Sequence, residues 1–202
     1  MEEKKTKIWF TSDLHFNHEK EFIYKARGFN SIEEMNETLV RNWNEKISDE
    51  DKVYCVGDLS LGKIEDSIEY IKKLKGHITL VIGNHDTDNR IKHYEECPNI
   101  EKITFADRFK YKKRCYWVSH YPTITSNPGK EKPVWCISGH THNKEKFDDN
   151  YIFNYNVNVD AHNMYPVELE QIHKEISEHN RDIDPIKEFE HIINNLRLTI
   201  HS

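Results

Sequence analysis

One pattern constrains this chain more than any other: short apolar runs end abruptly in polar side chains. Residues 80–86 read Leu-Val-Ile-Gly-Asn-His-Asp, which is typical of a buried strand whose end opens into a site. Comparable apolar runs end in Asp or His within 8–15, 53–58, 116–120 and 135–142. Because α/β proteins bind their ligands just beyond the strand ends, we expect these polar residues to form one site.

The order of strands and helices predicts how these ends come together. Strands at 8–11, 53–56 and 78–82 are separated by two amphipathic helices. The first helix begins near Ser31, where Ser-Ile-Glu-Glu matches a capping box, and the second covers 64–74 before a C-cap at Gly76. This alternation predicts right-handed parallel crossovers and therefore a layered α/β fold.

The second half of the chain predicts further β structure. Short strands are expected near Ile103 and Phe109, and others at 116–119, 134–138 and 151–159. The periodicity here is that of two-sided β structure, so we expect two sheets rather than one.

Length and the C-terminal pattern define the domain organisation. The chain of 202 residues fits one domain. We assign 1–175 to its body and 176–202 to a C-terminal amphipathic helix appended to the same domain. An apolar stripe at 186–196 after Asp184-Pro185 forms one face of that helix. The helix packs on the body or meets a copy of itself, which makes a homo-oligomer one option.

Composition excludes several classes of function. No apolar run approaches the roughly 20 residues of a membrane span, and residues 1–7 do not resemble a signal peptide, so we expect a cytoplasmic protein without a membrane partner. The four cysteines include no Cys-x-x-Cys pair, which favours reduced thiols. The formal charge of −6 argues against broad binding to duplex nucleic acid, although basic residues at 110–114 form a local patch suited to an anion.

The polar residues at the strand ends have the types and spacing of metal ligands. Asp13 and His15 alternate by two, and His140 and His142 repeat this spacing after Gly139. The complete set of candidate ligands is Asp13, His15, Asp58, Asn84, His120, His140 and His142. Oxygen and imidazole donors suit manganese, and also iron, nickel or zinc, better than a structural zinc site built on thiolates. The set is too large for one ion and sufficient for two if a carboxylate bridges.

Two such ions define a reaction class. A pair of divalent cations activates a bridging water as hydroxide and stabilises the oxygens of an in-line displacement at phosphorus. His85, beside the candidate ligand Asn84, is placed to contact the phosphoryl oxygens or to protonate the leaving alkoxide. We therefore expect a hydrolase acting on phosphate esters.

The order of these motifs closely resembles the calcineurin-like metallophosphoesterases over roughly residues 8–160, and the opening resembles small bacterial and phage members. The resemblance implies a two-sheet β-sandwich flanked by helices. It also implies that Asp58 bridges two ions and that His85 acts on the leaving group, while Asp86 orients His85 or its turn. It assigns one ion to Asp13, His15, Asp58 and His142, and the other to Asp58, Asn84, His120 and His140. Where the family often has a second aspartate, in Gly-Asp-x-x-Asp, this chain has Leu61.

Substrate contacts are less defined by the sequence. Asn17, His18 and Arg27 are candidates to reach the substrate, against the alternative that they are solvated loop residues. The leading hypothesis is hydrolysis of phosphodiesters in small phosphorylated molecules, with nucleotides as one option. Phosphomonoester hydrolysis is the nearest alternative, and a metal-dependent binding or scaffold protein without turnover is the alternative from another class.

Overall fold

The computed structural model describes residues 5–125, 133–148, 151 and 153–179. The strands are β1 (Ile8–Thr11), β2 (Lys52–Cys55), β3 (His77–Val81), β4 (Ile100–Thr104), β5 (Ala106–Tyr111), β6 (Arg114–Ser119), β7 (Trp135–Ser138), β8 (Asn154–Asn156) and β9 (Val167–Glu168). The helices are α1 (Glu21–Tyr24), α2 (Ile32–Lys46), α3 (Ile64–Ile71), α4 (Asp88–Tyr94) and α5 (Leu169–His179), with a 3-10 turn at Val159–His162.

The strands form two sheets, as the sequence predicts. One has the order β4-β3-β2-β1-β9, and all its neighbours are parallel except the pair of β1 and β9. The other has the order β5-β6-β7-β8, with β5 and β6 antiparallel and the remaining pairs parallel. The carboxyl ends of β1, β2 and β3 consequently lie side by side, which is where the polar loops begin.

Two apolar layers hold the sheets and helices together. Alternate residues of β1 point to opposite faces: Trp9 packs in the cluster beneath α2 and α3, whereas Phe10 packs in the cluster between the sheets. Val81 and Ile137 meet Phe10 in the second cluster, one from each sheet. Burying each such side chain contributes about 1.5–3 kcal/mol, so the sandwich provides a rigid base for the loops.

Helix α2 begins where the capping box places it. The Ser31 hydroxyl accepts a hydrogen bond from the amide of Glu34 at 3.2 Å. The Glu34 carboxylate accepts from the amide of Asn30 at 2.8 Å. The reciprocal bond thus reaches one residue further back than in the usual capping box.

Helix α5 is the largest element that we did not predict from the sequence. Leu169, Ile172 and Ile176 recur at helical spacing and are buried against the space between the sheets. The boundary that we drew at residue 175 falls inside this helix. The predicted helix face at 186–196 lies outside the described residues, so self-association through it stays a prediction.

Other features of composition can be compared with the structure. All four cysteines are free. Within the described residues, no helix combines the length and the apolarity that a membrane crossing requires. The basic patch is partly neutralised, because Lys112 pairs with Glu170. Arg114 also contacts α5, where it donates to the carbonyl of His173 and the hydroxyl of Ser177. These two side chains therefore belong to the contact between the β5–β6 hairpin and α5.

Candidate metal centre

The loops that follow β1 and β2 run side by side beyond the sheet. The amide of Asp13 donates to the carbonyl of Gly57 and the amide of His15 donates to that of Asp58, both at 3.0 Å. Five of the predicted ligands have a positive φ between 50° and 71°, a conformation that costs about 1–3 kcal/mol for a non-glycine residue. These residues are Asp13, His15, Asp58, His140 and His142. The loops turn at the ligands themselves, which aims their side chains into one space.

One group of donor atoms forms around Asp13. The Nε2 atoms of His15 and His142 lie 3.0 Å apart. Asp13 Oδ1 is 4.0 Å from His15 Nε2 and 3.7 Å from His142 Nε2. Asp58 Oδ2 completes the group at 3.7 Å from His15 Nε2. This is the set of residues that the family resemblance assigns to one ion.

A second group forms on the other side of Asp58. Asp58 Oδ2 is 3.5 Å from His120 Nε2. Asn84 Oδ1 lies 3.0 Å from His120 Nε2 and 2.9 Å from His140 Nδ1. The same carboxylate oxygen of Asp58 thus faces both groups, as a bridging ligand must.

Hydrogen bonds at the opposite ring nitrogens decide which imidazole atoms are free. His120 Nδ1 faces the carbonyl of Val56 at 2.9 Å, and His142 Nδ1 faces Asp160 at 3.0 Å. Each oxygen accepts a hydrogen bond from Nδ1–H, so in the neutral ring the Nε2 lone pair is directed into the site. Burial, reinforced by the neighbouring His142, lowers the pKa of His15 to about 2, so its imidazole stays neutral. Although burial opposes it, hydrogen bonding to Asp160 raises the pKa of His142, so a cation would compete with a proton for its Nε2.

The charge of the site calls for a cation. Asp13 is fully buried and Asp58 is 2% exposed. Burial raises the pKa of Asp13, and the nearby His142 and His120 offset only part of this effect. Two buried carboxylates among imidazole nitrogens form an oxygen and nitrogen donor set that a divalent cation would compensate. The donor set therefore fits a metal.

Glycines are required where backbone passes directly against the ligands. A Cβ on Gly83 would lie 2.3 Å from Asp58 Oδ1 and 2.6 Å from the Asp58 amide nitrogen. A Cβ on Gly139 would lie 2.4 Å from Asp13 Oδ2, and one on Gly57 would lie 2.4 Å from His120 Nδ1. These three glycines thus have a steric reason, and Gly57, with a φ of 89°, has a conformational one as well.

His85 lies over the open side of the centre. Its amide donates to Asp58 Oδ1 at 2.9 Å, and its ring Nε2 is 3.9 Å from Asp58 Oδ2. The ring is 44% exposed and its centroid is 5.4 Å from that of His15. It is near enough to contact a bound phosphoryl group and is still open to solvent.

Asp86 acts on the backbone of the site. Its Oδ2 accepts from the amides of Asp58 at 2.8 Å and Gly83 at 2.9 Å, and its Oδ1 accepts from the amide of Leu59 at 3.1 Å. Of the two roles that the sequence left open for Asp86, these bonds favour orienting the turn over orienting the His85 ring. Burial raises the pKa of Asp86, partly opposed by these amide donors.

Asp160 is a functional residue that our sequence reasoning missed. It accepts from His142 Nδ1 at 3.0 Å and from Arg27 Nε and Nη2 at 2.8 and 2.9 Å. Although burial opposes it, hydrogen bonding from His142 and Arg27 lowers the pKa of Asp160 to about 2. The sequence offered only a general rule that pointed to such a residue: a metal-binding histidine usually donates its other N–H to a carboxylate or carbonyl.

The three candidate substrate contacts differ in their environments. The Arg27 side chain is 3% exposed and also donates to the carbonyls of Asp13 and Leu14, so it supports the ligand loop from behind. The Asn17 amide is engaged by Asn36 and Ser67. His18 is half-buried, and its ring centroid lies 5.5 Å from that of His15. Among these candidates, His18 has the placement most compatible with a substrate contact.

The geometry can be compared with known proteins. The family model described as calcineurin-like phosphoesterase matches residues 6–195. An uncharacterized protein of Methanocaldococcus jannaschii is 34% identical over 176 residues, which cover 83% of this chain and 90% of that protein. The Gene 66 protein of Mycobacterium phage L5 is 34% identical over 82 residues, 39% of either chain.

A solved structure supports the same fold. The protein of unknown function AQ665 from Aquifex aeolicus superposes with a TM-score of 0.64 at 23% identity, covering 84% of this chain and 99% of that one. This similarity concerns the fold, and the family model extends over most of the chain. The chain therefore belongs to the calcineurin-like phosphoesterase family.

Proposed function

We propose that this protein hydrolyses phosphodiesters with two divalent cations. The observation that carries the proposal is the position of Asp58 Oδ2, which lies 3.7 Å from His15 Nε2 in one donor group and 3.5 Å from His120 Nε2 in the other. One carboxylate oxygen shared by two sets of imidazoles suits a pair of ions rather than a single ion. When bound, such a pair would supply an activated water and neutralise charge on the phosphoryl oxygens.

The position of each residue in the site determines the role that we propose for it. Asp13, His15 and His142 would hold one cation, and Asn84, His120 and His140 the other, with Asp58 between them. His85 is the exposed proton carrier beside this set, and it would give its proton to the departing alkoxide oxygen. Asp86 and Asp160 would keep Asp58 and His142 in place through the hydrogen bonds described above.

Two alternatives remain distinct from this proposal. Phosphomonoester hydrolysis would use the same residues, and a nucleotide phosphatase is its most direct form. A metal-dependent scaffold would have no need of an open imidazole beside the metal ligands, so the 44% exposure of His85 favours turnover.

The remaining proposals concern the cofactor, the substrate and the location. We propose manganese as the most effective ion in vitro, with iron, nickel or zinc as alternatives, because the donors are oxygen and imidazole nitrogen. The substrate is a small phosphorylated molecule, with a nucleotide as one option. Four free cysteines suit a reducing compartment, which supports a cytoplasmic location.

The proposal can be tested with matched esters. The manganese-loaded protein should hydrolyse bis-(4-nitrophenyl) phosphate with a higher kcat/KM than 4-nitrophenyl phosphate. The opposite preference would support the monoesterase. If the protein with full metal occupancy hydrolyses neither these esters nor nucleotide diesters, the result would support the scaffold.

The role of His85 needs a second comparison. His85→Asn should lose about 10²–10⁴-fold on a nucleoside or alkyl diester and much less on a nitrophenyl ester, since nitrophenolate leaves without a proton. His77→Asn is the matched control, because His77 is exposed at the start of β3 and contacts Glu101. Equal losses on both esters with both metals bound would mean that His85 positions the phosphoryl group and is not the acid.

A further inference from the structure

An exposed aromatic ring borders one end of the metal centre. The ring centroid of Tyr121 lies 4.5 Å from that of His140 and 5.2 Å from that of His120. Tyr121 is nevertheless 50% exposed. One part of the ring is thus supported by two proposed ligands while the rest faces solvent.

The loop around Tyr121 fixes the position of this ring. The hydroxyls of Ser119 and Thr123 both donate to the carbonyl of Tyr121 at 2.9 Å. Ile124, three residues further along the chain, is also exposed, at 60%. Within the described residues no group bonds to the phenol oxygen of Tyr121, so the part of the ring that does not pack on the imidazoles is open to a ligand.

The opposite end of the centre has a different chemistry. His85 lies beside His15, with ring centroids 5.4 Å apart, in the donor group that does not contact Tyr121. In the proposed reaction the leaving group departs beside His85. In an in-line displacement the other substituent of a phosphodiester stands to the side of the line that joins the water and the leaving group, so it is free to extend over His120 and His140 toward Tyr121.

We propose that Tyr121 is a stacking platform for a planar ring on the retained substituent of the substrate, such as the base of a nucleoside 5′-phosphate. This inference rests on the proposed function and deepens it, because it names a nucleoside phosphodiester as the substrate class. An exposed aromatic face can stack on any of the nucleobases, whereas the two donor groups would hold only the phosphate.

Binding of the product tests the platform without turnover. Thymidine 5′-monophosphate and inorganic phosphate are titrated into the manganese-loaded protein by calorimetry. The wild type should bind the nucleotide at least about fivefold more tightly than phosphate, the low end of what stacking on one base contributes. Tyr121→Leu, which keeps apolar bulk against the imidazoles, should bring the two affinities together, and Tyr121→Phe should preserve the difference.

The controls separate stacking from damage to the centre. Each variant must keep the manganese content and the phosphate affinity of the wild type. Phe105→Ala, which removes an aromatic side chain that is 79% exposed at the β4–β5 turn, should leave the nucleotide preference unchanged. A wild type without nucleotide preference, or a Tyr121→Leu protein that retains it, would overturn the inference.

Turnover distinguishes this inference from the proposed function. Methyl 4-nitrophenyl phosphate and thymidine 5′-(4-nitrophenyl phosphate) share a leaving group: water adds to phosphorus, the P–O(aryl) bond breaks and nitrophenolate leaves. Tyr121→Leu should raise KM for the thymidine ester at least about fivefold and leave kcat and the methyl ester unchanged. Equal losses on both esters would reject the platform while leaving the phosphodiesterase proposal intact. Absence of turnover in the wild type would reject the phosphodiesterase, and the calorimetric preference would then decide the platform by itself.

Discussion

Asp160→Asn tests how the protein aims one of its metal ligands. Asp160 joins His142 to Arg27, and the side chains of Arg27 and Asp160 are only 3% and 12% exposed. Asparagine keeps the size of the side chain but removes its charge. A single amide oxygen cannot accept the three hydrogen bonds that Asp160 accepts at 2.8–3.0 Å.

The expected loss has two parts. Residues that orient a metal-binding imidazole typically change metal affinity or activity about 10–100-fold, which corresponds to about 1.4–2.7 kcal/mol of binding free energy. Removing one partner of a buried ion pair costs about 3–5 kcal/mol of folding free energy. Because Asp160 retains some exposure and the amide preserves some contacts, we expect a decrease near the lower value, about 3 kcal/mol.

Two measurements separate these losses. Manganese affinity is measured by calorimetry, and unfolding in denaturant is followed in the presence of a chelator. Glu168→Gln is the matched control, because it removes an acid from an exposed ion pair with Lys7 and should change stability by less than about 1 kcal/mol. Unchanged manganese affinity in Asp160→Asn would show that Asp160 does not orient His142, and stability equal to that of Glu168→Gln would show that the buried pair contributes little.

Four further predictions address the centre and the C-terminus. Gly83→Ala should abolish metal binding, because its Cβ would overlap Asp58. In the control Gly28→Ala the new Cβ would have no atom within 4 Å, so backbone strain should lower its stability by only about 1–2 kcal/mol. Calorimetry compares the metal affinities of the two variants, and unfolding compares their stabilities. Asp58→Asn should eliminate turnover and weaken the binding of both metal ions, while Asp86→Asn should mainly lower kcat, about 10–100-fold. If Asp58→Asn binds two ions and has normal activity, Asp58 is not a bridging ligand. Removing metal should lower Tm, since a ligand at 100 times its Kd stabilises by about 2.7 kcal/mol; an unchanged melting curve after verified removal would contradict this. Deleting 184–202 should leave metal binding intact and alter stability or self-association, and loss of both metals from a well-folded truncated chain would show that the tail builds the site.

The sequence by itself determined the chemistry of the centre and the frame that carries it. Residues such as Asp13, Asp58 and His140 could be identified because each follows an apolar run within about three residues, and a strand end is a local feature of the chain. The alternation of β1, α2, β2, α3 and β3 was predictable for the same reason, since hydrophobic period and capping depend on near neighbours. The helix α5 was missed because its buried face of Leu169, Ile172 and Ile176 is short and lies among charged residues.

Only the tertiary structure decided which side chains support the ligands. Arg27 and Asp160 are 133 residues apart, and Asp86 bonds to the amide of a residue 28 positions earlier. The hydrophobic periodicity of neighbouring residues does not predict such pairs, because the contact exists only after the loops of different strands meet. The same folding step brings the backbone of Gly83 and Gly139 against Asp58 and Asp13. Residue type and spacing thus specify the donor atoms. Their orientation, and the placement of one Asp58 oxygen between the two donor groups, depend on long-range packing at the end of the sheet.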